Sequence, residues 1–339
     1  MRRRWCARFF AGALLIASVQ GCSGASSEAP VQVMVPTGAS LRTAADSHEH
    51  AGVIGSARLF RWYASIGGRD RGIKAGTYAL RRGQKWSEVL SALVAGEGLI
   101  VTVTIPEGFD LRTIVPRLAK ALGVPEDSVR VAASDSTWRA EREVTAATLE
   151  GYLFPDTYTF PAKTSARRAV HTMLERFDAI WRDEWNARAD SLGITRHEAV
   201  TMAALVEKEA RVADERPIIS AVYWNRVKKG MRLQADPTVQ YALPKHVDRV
   251  LFVHLEVDSP YNTYRYDGLP PGPIASPGAA SLEAALYPAD VPYLYFVAHP
   301  DGHHEFRNTF AEHQQAIAMV RREARRRNSR REDNGGGSQ

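Results

Sequence analysis

Thr195-Arg196-His197-Glu198-Ala199-Val200-Thr201-Met202-Ala203-Ala204-Leu205-Val206-Glu207-Lys208-Glu209-Ala210-Arg211 is the stretch on which the reading of this chain turns. Thr195 followed three residues later by Glu198 is a capping-box signature, so a helix is expected to start there. Ala199, Met202, Ala203, Leu205 and Val206 recur at helical spacing and predict an apolar stripe. Glu209 falls one turn beyond Leu205 and Val206 on that stripe, with Ala213 after it. Glu207 is rotated from Glu209 by about 200° and stands i,i+4 from Arg211, which predicts a solvated pairing. Two glutamates two residues apart are thus expected in different environments, with only Glu209 set up for burial.

A carboxyl held against apolar surface resists ionisation, and its pKa rises toward the range of a general acid near neutral pH. The alternative is a helix-end residue, solvated or paired with Lys208 or Arg216. Perturbed carboxyls also occur in structural networks. Spacing alone leaves both readings open.

Composition narrows the class. The chain has 339 residues, 45% hydrophobic and 24% charged, enough for a large core and two or more domains. Its formal charge of +6 comes from the ends: Arg2, Arg3, Arg4 and Arg8 at one, and seven Arg against three acids over 321–339 at the other. The folded body between them is slightly acidic, which disfavours a nucleic-acid partner. An Arg-rich start and an apolar run from Phe9 to Val19 read as a secretory leader. It ends Val19-Gln20-Gly21-Cys22, similar to a bacterial lipobox, with an uncleaved membrane anchor as the alternative. Cys6 and Cys22 are the only cysteines and both lie in residues 1–22, so the body has no disulfide and no thiolate ligand.

Working outward, residues 23–30 are linker-like. Residues 31–105 alternate short strands, at Val31, Gly76 and Ile100, with short helices, and predict a small α+β module. A mainly helical region follows over 106–320, with a short sheet and Pro/Gly-rich loops. Its helices are expected over Leu111–Leu122, Ser165–Ala189, the quoted stretch, Ile218–Lys229 with Asp214 as N-cap, and Phe310–Val320, while Glu126–Glu143 reads as surface. Tyr293–Ala298 reads as a buried strand, and 321–339 as a disordered basic tail. The aromatic segment Leu149–Tyr158 carries Glu150 and Asp156, which serve either a sugar site or a packed loop with a Pro-Asp turn. The stretches Met231–Thr238, Tyr261–Tyr264 and Gly268–Gly278 combine Pro and Gly with Tyr, Asn and Thr, as carbohydrate sites often do.

No G-x-S-x-G elbow, P-loop, G-x-G-x-x-G or H-E-x-x-H occurs. His299, His303 and His304 near Asp301 are better explained as turn residues than as a metal site, so no metal and no cofactor are expected.

Assembled in order, the motifs resemble those of the YceG-like family of endolytic murein (peptidoglycan) transglycosylases. They are I-P-E-G at Ile105, L-E-G-Y-L-F-P-D-T-Y at Leu149, L-V-E-K-E-A at Leu205, N-R at Asn225 and G-M-R-L-Q-A-D-P-T-V at Gly230. Y-N-T-Y at Tyr261, G-L-P-P-G-P-I at Gly268 and Y-L-Y-F-V at Tyr293 complete the set. The resemblance implies a LysM-like first module and a catalytic carboxyl at the second glutamate of V-E-K-E, Glu209. It also implies non-hydrolytic cleavage of the N-acetylmuramic acid–N-acetylglucosamine bond within a strand, leaving 1,6-anhydro ends. Gln234, Asp236, Tyr261, Asn262 and Thr263 become candidates to orient sugar or stabilise the transition state, beside Glu150 and Asp156. Peptidoglycan strands are the implied partner, cell-wall synthases a further one, with the body held outside the inner membrane by its N-terminus. The lipobox-like leader and Ala204, where serine is commoner, depart from the pattern. A glycan-binding scaffold and a hydrolytic muramidase are the competing functions.

Overall fold

Val33 and Val35 alternate with exposed neighbours along β1 (Val31–Val35), the period of a strand with one buried face. Strand β1 pairs antiparallel with β2 (Gly76–Leu80), Val31 opposite Leu80 and Val35 opposite Gly76. Between them run α1 (Leu41–His50) and α2 (Ala57–Ile66), and α3 (Trp86–Ala95) follows β2. Ser40 and Ser56 start α1 and α2 by accepting the backbone N–H of Thr43 and Leu59. Phe60, Tyr78, Val89, Leu90 and Leu93 close the core of this unit. The structure is a computed structural model describing residues 29–335 except 70, 246 and 248. The leader, with Cys6 and Cys22, and nearly all of the linker lie outside the described residues. No helix among those described is long and apolar enough to cross a membrane.

The chain divides into two compact units between Glu97 and Gly98, ahead of the boundary expected at 105. Strand β3 (Leu99–Thr104) lies past that division and pairs antiparallel with β4 (Thr157–Pro161), Ile100 opposite Pro161 and Thr104 opposite Thr157.

Between β3 and β4 come α4 (Leu111–Leu122), α5 (Glu126–Ala132) and α6 (Ser136–Glu141). Asp110 caps α4 by accepting from Thr113 N, and Gly123 ends it in the left-handed region. The segment read as surface thus forms two short helices that bury Val129, Ala132 and Trp138. Each is too short to show a 3.6-residue period. The single helix expected over Ser165–Ala189 is two, α7 (Ala166–Ile180) and α8 (Asp183–Leu192). The chain turns extended at Trp181, whose indole N–H donates to Asn186 Oδ1 at 2.7 Å.

The capping box forms as expected and opens α9 (Arg196–Glu209). The apolar stripe does not. Every residue from Ala199 to Val206 is buried, because α9 is enclosed by α8, α10 (Arg216–Lys228), α11 (Asp236–Ala242) and α12 (Ala279–Leu286). A helix buried all round has no phase to read. A 3-10 turn at Ala213–Glu215 precedes α10, so Asp214 sits inside that turn instead of capping the helix.

The last strands, β5 (Tyr295–Ala298) and β6 (His304–Arg307), form an antiparallel pair against α13 (Phe310–Gly335). Strand β5 is half-buried, not buried as expected. Helix α13 continues to Gly335, through much of the segment read as disordered. Its Arg, Ala and Glu are good helix formers, which a bias toward charge and glycine obscured. The class is α+β, with small antiparallel sheets and a mainly helical second unit.

Three sequence motifs meet at Gly151. Its φ of +82° suits glycine, and a Cβ there would lie 2.4 Å from Pro273 Cβ and 3.3 Å from Val200 Cγ1 of α9. Gly151→Ala combines a left-handed alanine with overpacking and should cost about 2–4 kcal/mol. Urea denaturation of both proteins measures it, with a loss in midpoint at unchanged slope as the expected outcome.

Candidate active site

Helix α9 ends at Glu209 because the next residue, Ala210, turns extended while its N–H still bonds Val206 O. Glu209 therefore projects from the end of a buried helix into a cavity of about 280 Å³. Glu209 is half-buried, open toward the cavity. Burial pushes this carboxyl up to about 7. The Tyr223 hydroxyl, which donates to Glu209 Oε1 at 3.0 Å, opposes the shift; the charge of Asp236 adds to it and Arg211 reduces it. Tyr223 is buried on α10 and stays neutral, since burial raises it well above its ordinary value. The arrangement holds a carboxyl that is part protonated at neutral pH, with one oxygen bonded to Tyr223.

Asp236 opens α11 across the cavity, and its Oδ1 accepts from Tyr264 Oη at 2.6 Å. Gln234 also lines the cavity and has φ +52°, a left-handed conformation unusual for a side chain of its size. Its N–H donates to Thr263 O at 3.1 Å. Thr263 itself is 1% exposed and supports this loop from behind: its Oγ1 accepts from Ala235 N at 3.0 Å and lies 2.9 Å from Thr238 Oγ1. Asn262 has no exposed surface, and its side-chain amide donates to Leu255 O and Val257 O. Both residues hold the backbone and neither lines the cavity.

The other expected residues lie elsewhere. Tyr261 packs against Tyr241 with the rings tilted by 52° and their centres 4.8 Å apart. The Tyr241 hydroxyl donates to Glu150 Oε2 at 3.3 Å, and both oxygens of Glu150 accept the N–H of Leu111, the first residue of α4. Glu150 is 2% exposed and is pushed up to about 8, first by burial, against the pull of the Leu111 N–H. It borders a separate cavity of about 370 Å³. Asp156 pairs with Arg176 at 2.7 Å and caps Thr157 at the start of β4. Neither carboxyl reaches Glu209's cavity.

Glu207 does not make the solvated pairing expected with Arg211. Its Oε2 accepts from Gly278 N at 3.1 Å and Ser281 Oγ at 2.7 Å, fixing the start of α12 against the last turn of α9. Beside it, burial and the Glu207 charge raise Glu107. Local spacing could not show α12, which arrives from seventy residues away.

The residues that sequence reasoning passed over are Tyr223, Arg226, Tyr264, Phe296 and His313, all lining the cavity. Arg226 donates to the carbonyls of Leu294 and Leu233 and faces the Tyr295 ring, so it frames the cavity wall. Tyr264 closes the Y-N-T-Y string and was within sight; Tyr223 and His313 carry no local signal. His299 bonds Glu323, and His304 bonds Glu215 through Nδ1 at 2.6 Å. Among the described residues no group of His, Cys, Asp and Glu is arranged to hold a metal ion.

Fold and cavity define an α+β protein in which a titratable carboxyl at a helix end faces a polar cavity. The sequence profile of the YceG-like family matches residues 33–319, and the chain belongs to that family. It is 36% identical over 306 residues to an endolytic murein transglycosylase of Bacillus subtilis, covering 86% of this chain and 84% of the relative. An endolytic murein transglycosylase of Streptococcus pneumoniae is 28% identical over 326 residues; the match spans 59% of that longer protein. A crystal structure of a YceG-like protein from Listeria monocytogenes superposes with a TM-score of 0.62 at 33% identity, covering 84% of this chain and 98% of that one.

The raised pKa of Glu209 has a stability consequence. The carboxyl ionises near 4.5 when unfolded but near 7 when folded, so its contribution is complete below 4.5 and is lost as pH rises toward 7. Glu209→Gln mimics the protonated form at every pH. Its melting temperature should match the parent at pH 4 and exceed it at pH 8. Thermal scans at the two values test this; an equal offset at both rejects the raised pKa.

Proposed function

We propose that the protein is an endolytic murein transglycosylase in which Glu209 is the single catalytic acid and base. The observation that carries this is a carboxyl poised near neutrality by burial, facing an open cavity, in a chain whose relatives bear that name. Protonated Glu209 gives its proton to the glycosidic oxygen between N-acetylmuramic acid and N-acetylglucosamine. The resulting carboxylate then takes the proton of the muramic C6 hydroxyl as that oxygen attacks the anomeric carbon. The C–O bond to the leaving sugar breaks, the 1,6-anhydro ring closes, and water is not consumed. One carboxyl suffices because the same group gives a proton and then receives one. Tyr223 steadies the carboxylate through Oε1, while Gln234 and Asp236 are placed to orient sugar.

The competing reading is hydrolysis, which normally takes two carboxyls. Asp236 is the only other carboxyl bordering the cavity among the described residues. Mass spectrometry of products from purified sacculi separates the readings: anhydro ends support the transglycosylase, free reducing ends the muramidase. Glu209→Gln should reduce product release by about 10²–10⁴-fold, and release by the parent should decline above pH 7, as the proton is lost. Glu207→Gln should cut at near-parental rate but unfold at lower urea, since it loosens the tie to Gly278 and Ser281. Near-normal release by Glu209→Gln rejects the assignment.

The first unit, with its β-α-α-β order, is the LysM-like module of this reading and positions glycan or a partner rather than cutting. The leader holds the chain at the outer face of the inner membrane, through lipidated Cys22 or an uncleaved anchor, near the synthases whose strands it cuts. A chain beginning at Gly98 should still release anhydro products at high glycan concentration, with a raised KM. A folded fragment without cleavage at any concentration would contradict this division of labour.

A further inference from the structure

Helix α2 is apolar on two sides. Ala57, Phe60 and Ala64 face the core of the first unit and are buried. Leu59, Trp62, Tyr63 and Ile66 recur on the opposite side at helical spacing, and are 54%, 67%, 38% and 68% exposed. One stripe is enough to dock a helix on its own core; a second stripe in water marks a contact with something else. Basic residues accompany it. Arg58, Arg69, Arg71 and Lys74 are exposed, and residues 57–74 carry five basic side chains against the single acid Asp70.

We propose that this face of α2 lies on the anionic surface of the bilayer to which the chain is anchored, with Trp62, Leu59 and Ile66 entering the headgroup boundary. The proposal rests on the reading that residues 1–22 hold the chain at a membrane. From Cys22 to Val31 the backbone reaches at most about 30 Å, so an anchored first unit stays within a short distance of lipid. An apolar stripe carrying Trp, with arginines beside it, has the composition of an interfacial helix, and each nearby cation adds attraction to acidic lipid. A glycan is the weaker occupant. Sugar-binding faces pair an aromatic ring with carboxyl or amide groups that bond hydroxyls, whereas Leu59 and Ile66 are aliphatic and the stripe has no such group.

The test uses the full chain in vesicles, with a nitroxide attached at Leu59→Cys or Ile66→Cys and, as a control on an exposed part of α1, at Glu49→Cys. The unsubstituted chain supplies the background from Cys6 and Cys22. Vesicles contain phosphatidylglycerol with phosphatidylethanolamine, or phosphatidylcholine alone. The expected result is loss of collisional broadening by aqueous nickel at 59 and 66, gain of broadening by oxygen there, and no change at 49. The protection should be greater on the acidic vesicles. Chains that fail to float with vesicles overturn both the anchor and the docking. Chains that float but remain open to nickel at 59 and 66 overturn docking and leave the anchor standing. Protection that appears only with added glycan strands, or label–label broadening that dilution with unlabelled chain removes, assigns the face to sugar or to a second copy and overturns the proposal. Release of anhydro products, measured separately, reports on the catalytic reading alone.

Discussion

The constraint at the centre of the second unit is the partial withdrawal of one carboxyl, that of Glu209, from water. A glutamate in solvent is ionised far below neutral pH and cannot give a proton near pH 7. Helix α9 removes that solvent by being buried on all sides from Ala199 to Val206, where four other helices enclose it, and Glu209 stands one turn past that run. The cost of holding Glu209 there is offset by the Tyr223 hydroxyl, which satisfies one oxygen, and is contained by the cavity, which leaves the rest of the group within reach. More hydrogen bonds would drop the pKa again; fewer would leave a buried polar group unsatisfied.

Glu150 and Glu207 show the same residue type put to structural use. Each ends against backbone N–H groups at the start of a helix, Glu150 at Leu111 of α4 and Glu207 at Gly278 before α12. Negative charge is stabilising there because the first N–H groups of a helix lack partners within it. Glu150 nonetheless has a strongly raised pKa. A raised pKa therefore does not by itself single out a reacting group, and Glu150 borders a cavity too; Glu209 differs in being only half-buried, beside Gln234, Asp236 and Tyr264, where Glu150 is 2% exposed.

The loops that carry the Pro- and Gly-rich motifs owe their shape to buried polar ties. His197, on α9, lies between Tyr152 Oη and the carbonyl of Pro271, each at 3.0 Å. A carbonyl can only accept, so Nε2 carries the proton and Nδ1 accepts from Tyr152. Burial lowers the His197 pKa and favours this neutral tautomer. One imidazole thus joins the start of α9 to the Leu149 and Gly268 motifs, and Gly151 lets them approach closely.

By itself the sequence determined the α+β class, the helix start at Thr195 and the helix Leu111–Leu122. These rest on caps, periodicity and motif order, all carried by residues near one another in the chain. Periodicity failed where burial was complete, as around α9, and where elements were short, as in α5 and α6. Glu209 was singled out by a stripe the helix does not have; its burial comes from where α9 ends. Only the tertiary structure decided that Gln234 and Asp236 share its cavity, that Asn262 and Thr263 stand behind the wall, and that Glu150 and Asp156 lie elsewhere. It also supplied Tyr223 and His313, whose places depend on α10 and α13 packing near the end of α9 and on distances that no local pattern encodes. A side chain's chemistry is set by its neighbours in space, and for this carboxyl those neighbours come from five separate parts of the chain.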